Sequence, residues 1–266
     1  MCAIAGIVDF GHESNFDGYP ALTRMLDSMQ HRGPDDRGEE VIQGSNGVRL
    51  WLGHLRLSII DLTPKGHQPM SNGSKSYWIS CNGEIYNYME LRKSLEPRFY
   101  FNSQSDTEVL LKAYEAWGVD CLEKLRGMFA FAIWDKANQH LFLARDRLGI
   151  KPLYYYYDQK RFLFASEIRA LLRSLLVSKS LNSNGIFDYL SFGRLQAPDT
   201  IINDIYELKP GHYLKIKKNA NNQPPTKYWD LTNFKTFEGN KNKLSDKIQS
   251  ALVEAVKYRL VSDVPV

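Results

Sequence analysis

Met1-Cys2-Ala3-Ile4-Ala5-Gly6-Ile7 opens the sequence, and from residue 3 to residue 10 it is small, apolar and rich in β-formers. Such a run predicts a strand buried on both faces. Cys2 then has two readings. In the plain one it is a small apolar residue leading into a buried strand. In the other, Met1 is removed, which the small side chain at position 2 permits, and Cys2 becomes the first residue. A terminal Cys carries a thiol titrating near ~8.5 and an α-amine titrating near ~7.7–8.0. Nucleophile and base would then sit on one residue, the arrangement in which a terminal amine activates its own side chain. Position alone leaves both readings open.

The remaining composition narrows the class. The chain has 266 residues, 43% of them hydrophobic and 24% charged, which suits one large globular domain or one domain plus part of another. No apolar run is long enough to span a bilayer, and the basic-then-apolar layout of a secretory leader is missing. No membrane role and a cytoplasmic location are therefore expected. The three cysteines, Cys2, Cys81 and Cys121, are odd in number and far apart, which argues against a disulfide scaffold. The net charge of +4 is mild. Its basic excess at residues 209–218 and 241–247 lacks the aromatic interleaving of a single-strand binder, so no nucleic-acid partner is expected. The sequence has no Gly-rich phosphate loop and no dinucleotide fingerprint. Its six histidines lack metal-ligand spacing, so no metal site is expected.

Along the chain, Leu22, Met25, Leu26 and Met29 give residues 19–30 a helical period. His31-Arg32-Gly33-Pro34-Asp35-Asp36-Arg37-Gly38 is dense in breakers and charge and predicts a loop, with Asp35 and Asp36 in a solvated turn. Residues 48–53 and 55–60 predict strands, and residues 61–73 a second loop. Residues 77–81 predict a strand with Asn82-Gly83 after it, then a helix over 86–95. Ser105-Asp106-Thr107-Glu108 has the form of a capping box opening a helix that runs to Trp117. Residues 128–134, 140–145, 153–157 and 161–165 predict successive strands. Short helices at 167–176 and 183–191 and strands at 205–208 and 212–216 follow. Residues 219–243 predict a linker. In residues 244–260, Leu244, Ile248, Leu252, Ala255 and Val256 share one helix face. The pattern predicts an α+β fold with two sheets, resolved into layers.

Three further places could carry chemistry. Asn82-Gly83 is a strong hairpin signal, or else an oxyanion site made from the Asn82 amide and the Gly83 N–H, with the Glu84 carboxylate beside it. Arg56, among leucines and isoleucines, either points to water or offers its fork to a carboxylate. Asp106 in a first helical turn either complements the helix dipole or supplies a carboxylate for a substrate ammonium.

Taken in order, these stretches resemble one family. The resemblance is carried by Cys2-Ala3-Ile4-Ala5-Gly6, residues 31–38, Arg56-Leu57-Ser58-Ile59-Ile60-Asp61, Asn82-Gly83-Glu84-Ile85-Tyr86-Asn87 and Ser105-Asp106-Thr107-Glu108. It continues through Arg126-Gly127-Met128-Phe129-Ala130-Phe131, residues 144–154 and Ala165-Ser166-Glu167. The family is glutamine-hydrolysing asparagine synthetase, in its N-terminal class II glutamine amidotransferase half. The resemblance implies an N-terminal-nucleophile hydrolase, a four-layer αββα sandwich, over residues 1–218. It also implies a linker at 219–243 and the first helix of a truncated α/β synthetase domain at 244–266. It implies Cys2 as nucleophile, Asn82 and Gly83 as the oxyanion hole, and Arg56 on the glutamine α-carboxylate. Glu84 and Asp106 would hold the α-ammonium, with the backbone near Ile59 and Ile60 lining the pocket. The expected reaction is hydrolysis of the glutamine side-chain amide through a Cys2 thioester, the ammonia serving ATP-dependent amidation of aspartate. No cofactor is expected in this chain, ATP and Mg2+ only with the synthetase domain. That domain, in cis or in trans, is the expected partner, and a homodimer is left open. Relatives amidating sugars or other acceptors share this donor half, and a chain retaining Met1 would be a non-catalytic glutamine-binding module.

Overall fold

The computed structural model describes residues 1–11, 15–218, 224–233 and 241–265. In chain order its strands are β1 (Ala3–Asp9), β2 (Asp36–Gln43), β3 (Arg49–Arg56), β4 (Met70–Ser71), β5 (Tyr77–Ile85), β6 (Gly127–Asp135), β7 (His140–Arg145), β8 (Tyr154–Tyr157), β9 (Arg161–Ala165), β10 (Ile205–Glu207), β11 (His212–Lys217) and β12 (Thr226–Lys227). The α-helices are α1 (Tyr19–Ser28), α2 (Tyr88–Leu95), α3 (Asp106–Trp117), α4 (Cys121–Lys124), α5 (Ile168–Arg173), α6 (Ser183–Phe192) and α7 (Lys241–Arg259). The strands form two antiparallel six-stranded sheets, ordered β10-β8-β9-β1-β3-β2 and β12-β11-β7-β6-β5-β4.

Three apolar cores stack these elements into an αββα sandwich. Ile4, Val8, Leu50, Leu52, Trp78, Trp134 and Phe164 fill the space between the sheets. Ala3, Ala5 and Ile7 face the other way, onto Leu22, Met25 and Leu26 of α1 and Leu171 of α5. Ile79, Cys81, Ile85 and Phe131 of the second sheet pack outward on Leu91 of α2 and on Leu110 and Leu111 of α3. β1 is therefore covered on both faces, as its sequence predicts, and each large side chain so buried contributes roughly 1.5–3 kcal/mol.

The period-2 alternation of strands now places the polar residues. In β1 the even positions Ile4 and Val8 face the second sheet, so Cys2, just before the strand, is in the same register. In β5 Trp78 faces inward while Ile79, Cys81 and Ile85 face outward, which sets Ser80, Asn82 and Glu84 inward. In β3 Leu50 and Leu52 face inward, and His54 and Arg56 continue that row. Polar bridges close the sandwich at this end: Ser80 Oγ donates to Gly53 O (3.0 Å) and His54 to Cys81 O (3.0 Å).

Three expectations need correction. Asn82-Gly83 does not follow a strand. β5 runs on through Ile85, with Asn82 opposite Ala130, Gly83 opposite Phe129 and Glu84 opposite Met128. The expected loop at 31–38 is a single helical turn followed by β2, and Asp36 is paired with His67 at 2.7 Å. The capping box is half formed. Ser105 Oγ accepts the Thr107 N–H, but the Ser105 N–H is already taken by Ser103 Oγ, and Glu108 instead accepts from the Asn102 and Ser103 amides. In the segment expected as linker, residues 219–223 and 234–240 lie outside the described residues, while Thr226–Lys227 pair with β11 and Tyr228 donates to Arg145 O. The helix expected at 244–260 is α7, which is anchored by Tyr258 Oη on Glu90 (2.9 Å) and keeps Ile248, Leu252 and Val256 exposed. Among the described residues no helix is long and apolar enough to cross a membrane.

Candidate active site

At the polar end of the sandwich lies a cavity of about 370 Å³, within the size range of small-molecule sites. Cys2 from the β1 lead-in, Arg56 from the end of β3, and Ile59 and Ile60 from the loop after it line this cavity. So do Asn82, Gly83 and Glu84 of β5 and Asp106 at the start of α3. The structure thus brings together all eight residues singled out in the sequence.

Cys2 is fixed by its neighbours. Its carbonyl accepts from Arg32 Nε (3.0 Å), and Arg32 is in turn paired with Glu167 (3.1 Å). Its sulfur accepts the Leu57 N–H at 3.3 Å. Burial pushes the thiol pKa up, against the pull of that N–H, so at neutral pH the group is a thiol and needs a base. The nearby α-amine belongs to Met1, and burial holds its pKa below the ordinary value. With Met1 in place the Cys2 nitrogen is an amide and has no basic lone pair.

The β5 register makes an anion site. Phe129 turns both its N–H and its C=O to Asp146, so the Gly83–Phe129 pair exchanges no ladder bonds. Gly83 must point its own N–H away from β6. On that side the Cys81 N–H is taken by Gln68 Oε1 (2.7 Å) and the Ile85 N–H by Asp106 Oδ2 (2.8 Å). Between them no acceptor among the described residues takes the Gly83 N–H. A Cβ at Gly83 would collide with the Met128 carbonyl and the Phe129 backbone, so the strands approach this closely only at a glycine. Beside it, Asn82 is 1% exposed, and neither Nδ2 nor Oδ1 has a hydrogen-bond partner among the described residues. A buried amide is normally satisfied. Two donors left open on one cavity wall fit a developing negative charge.

The charged groups divide the rest of the cavity. Arg56 lies over Gly66, where any Cβ would strike its guanidinium. It donates from Nη1 to Thr63 O (3.1 Å) and from Nη2 to Ile60 O (3.2 Å) and Asp61 O. Nη1 and Nη2 thus help hold the loop, while Nε has no acceptor among the described residues. Burial pushes the Asp106 carboxyl up to about 6, with the Ile85 N–H pulling it down and the Glu84 charge pushing it further up. Burial also raises Glu84, opposed by Lys151.

Sequence reasoning missed Gln68 and Lys151. Gln68 lines the cavity and bridges β5 to α3, accepting from Cys81 N and donating to Thr107 Oγ1 (3.2 Å). Lys151 is a cavity-lining cation only 5% exposed, carried on a loop that Asp146 organises by accepting the Leu148, Ile150 and Lys151 amides. Nothing local in the sequence marks either residue. Behind the cavity, burial pushes His54 down to about 4, so it is neutral, and its Nε2–H donates to Cys81 O. Among the described residues no cluster of His, Cys, Asp and Glu is placed to hold a metal ion.

The profile of a family described as "Glutamine amidotransferase domain" matches residues 1–229. The chain belongs to that family. As a glutamine amidotransferase domain it is similar along its whole length to longer curated proteins. These include a putative asparagine synthetase (glutamine-hydrolyzing) 2 of Methanocaldococcus jannaschii, 36% identical with 53% of that protein covered. Asparagine synthetase (glutamine-hydrolyzing) 3 of Bacillus subtilis is 38% identical, with 42% covered. Amidase chry2 of Gibberella zeae is 36% identical, with 40% covered. The chain spans about half the length of these relatives or less, and it is homologous to the glutaminase half of the asparagine synthetases. Among solved structures, the glutamine phosphoribosylpyrophosphate amidotransferase of B. subtilis aligns with a TM-score of 0.57 at 23% identity. That alignment covers 81% of this chain and 47% of the other. This likeness concerns the fold alone.

Proposed function

We propose that this chain is the glutaminase half, residues 1–218, of a glutamine-dependent asparagine synthetase acting in the cytoplasm, with residues 219–243 leading into a synthetase domain whose first helix begins near residue 244. The observation that carries the reading is the buried, unpartnered amide of Asn82 beside the free Gly83 N–H, on the cavity that Cys2 also lines. Glutamine binds with its α-carboxylate on the remaining donors of Arg56 and its α-ammonium on Glu84 and Asp106. Its side-chain carbonyl oxygen points at Asn82 and Gly83. The α-amine exposed on Cys2 by removal of Met1, directly or through a water, takes the thiol proton. The sulfur attacks the amide carbon, and the C–N bond breaks as ammonia leaves with that proton. Water then hydrolyses the γ-glutamyl thioester to glutamate and restores the thiol. ATP and Mg2+ belong to the synthetase domain, where ammonia would amidate aspartate. The likeness to the Gibberella zeae amidase favours a second reading in which the same donor half serves another acceptor. Product analysis of the full-length enzyme with aspartate separates the two.

Two measurements test the glutaminase reading. Glutamate release from L-glutamine should scale with the fraction of protein beginning at Cys2, read by intact mass. A form with an uncleavable extension before Cys2 should be inactive, and equal activity in both forms would refute the terminal-amine base. The pH profile is the second. Below about 6 the Asp106 carboxyl is protonated and no longer attracts an ammonium, so kcat/KM should fall with acid through that value. Asp106→Asn should remove this limb, leaving a uniformly low kcat/KM.

A further inference from the structure

The segment after α7 reaches back to the cavity rim. Asp263 accepts the Asp61 N–H through Oδ2 (2.7 Å), and its own N–H donates to Ile59 O (2.9 Å). It therefore brackets Ile60 from outside, while Arg56 holds the Ile60 and Asp61 carbonyls from within. Ile59 and Ile60 line the cavity. The rim needs such support, because Asp61 sits at φ +54°, in the left-handed region that few side chains adopt. Asp61 also passes the constraint on. Its Oδ1 accepts from the Thr63 N–H and Oγ1, and its Oδ2 accepts the Gln104 N–H (2.7 Å), two residues before Asp106. Displacing the rim would thus disturb Arg56, on the α-carboxylate of the proposed ligand, and the approach to Asp106, on its α-ammonium. The contact spans 202 residues of sequence.

We infer that Asp263 is a positioning residue for the glutamine pocket, a two-point latch through which the segment following α7 sets the Ile59–Asp61 rim. The inference rests on the reading that the cavity takes glutamine. Chain movement beyond α7 would release the latch and loosen the grip on glutamine without touching Cys2, Asn82 or Gly83. The site that makes ammonia would then sense the disposition of the segment that, in the longer relatives, leads into the rest of the protein.

The test compares Asp263→Ala and Asp263→Asn with the parent. The amide oxygen of Asn still accepts the Asp61 N–H, and the backbone bond to Ile59 needs no side chain. Asp263→Ala should raise KM for glutamine about 3- to 10-fold, the worth of one hydrogen bond, and leave kcat within about twofold. Deuterium exchange in the peptide covering residues 57–63 should speed up in the same variant. Asp263→Asn should restore both values. An unchanged KM and exchange rate in Asp263→Ala, or an Asn variant as impaired as the Ala variant, would overturn the latch. Should the parent itself leave glutamine intact, the glutaminase reading fails on its own, and the exchange comparison still decides whether Asp263 holds the rim.

Discussion

Cys2→Ala should leave a folded protein that binds glutamine and does not hydrolyse it, with kcat reduced by roughly 10⁴-fold or more, as when other covalent nucleophiles are deleted. The size of the effect follows from the site. In the proposed step the Cys2 sulfur forms the bond to the amide carbon, and without it the thioester route is closed. The fold should survive, because Cys2 precedes β1 and, among the described residues, its side-chain hydrogen bonds are those of the sulfur with the Leu57 N–H (3.3 Å) and carbonyl (3.6 Å). Arg32 grips the Cys2 carbonyl, which the substitution keeps. Binding should persist because the ligand's charged end is held by Arg56, Glu84 and Asp106 in the proposed mode. Calorimetric titration with glutamine, beside a glutamate-release assay, checks both halves. Hydrolysis by the variant at the parent rate would exclude a thioester on Cys2.

The layered fold was legible because alternation is a local property. β1 is small or apolar from Ala3 through Val8 and is buried at every position. The tyrosine run at 154–157 reads as a strand and is β8. Legibility failed where polar residues occupy strand positions. Ser80, Asn82 and Glu84 alternate with Ile79, Cys81 and Ile85 as a half-buried strand should, yet Asn-Gly reads first as a turn. The strand continues because Gly83 allows β6 within contact distance and because the inward row faces a ligand cavity instead of packed core. The cavity-lining positions of Cys2, Arg56, Asn82, Gly83, Glu84 and Asp106 could be anticipated from the order of motifs. Gln68, Lys151 and Asp263 could not. Each acts through contacts from a distant loop, and a single Gln, Lys or Asp in a loop carries no pattern of its own. Arg56 shows the same limit in another way. Its sequence context suggests a ligand donor, whereas the structure adds a second duty on three loop carbonyls that no residue type announces.

Asn82→Ala should lower kcat by about 10²- to 10³-fold with little change in KM, because an oxyanion donor works mainly after the carbonyl oxygen has taken charge. A structural asparagine predicts something different. Removing one that bonds to its neighbours leaves those neighbours unsatisfied and destabilises the fold. Asn82 has no such neighbours to orphan, since both its side-chain polar atoms lack partners among the described residues while being buried. Its removal orphans no neighbour among the described residues, so stability should stay within about 0.5 kcal/mol of the parent. Slower turnover with an unchanged unfolding midpoint is therefore the expected pair of outcomes, measured by glutamate release and by urea denaturation of the same preparation. The substitution keeps the strand, for the Asn82 backbone stays opposite Ala130 and the register around Gly83 does not depend on the amide. A loss of stability in step with the loss of activity would mean that Asn82 props the strand. Unchanged stability with kcat reduced and KM held would place its work in the transition state, where the polarised oxygen of the glutamine amide is the partner of the Asn82 donor.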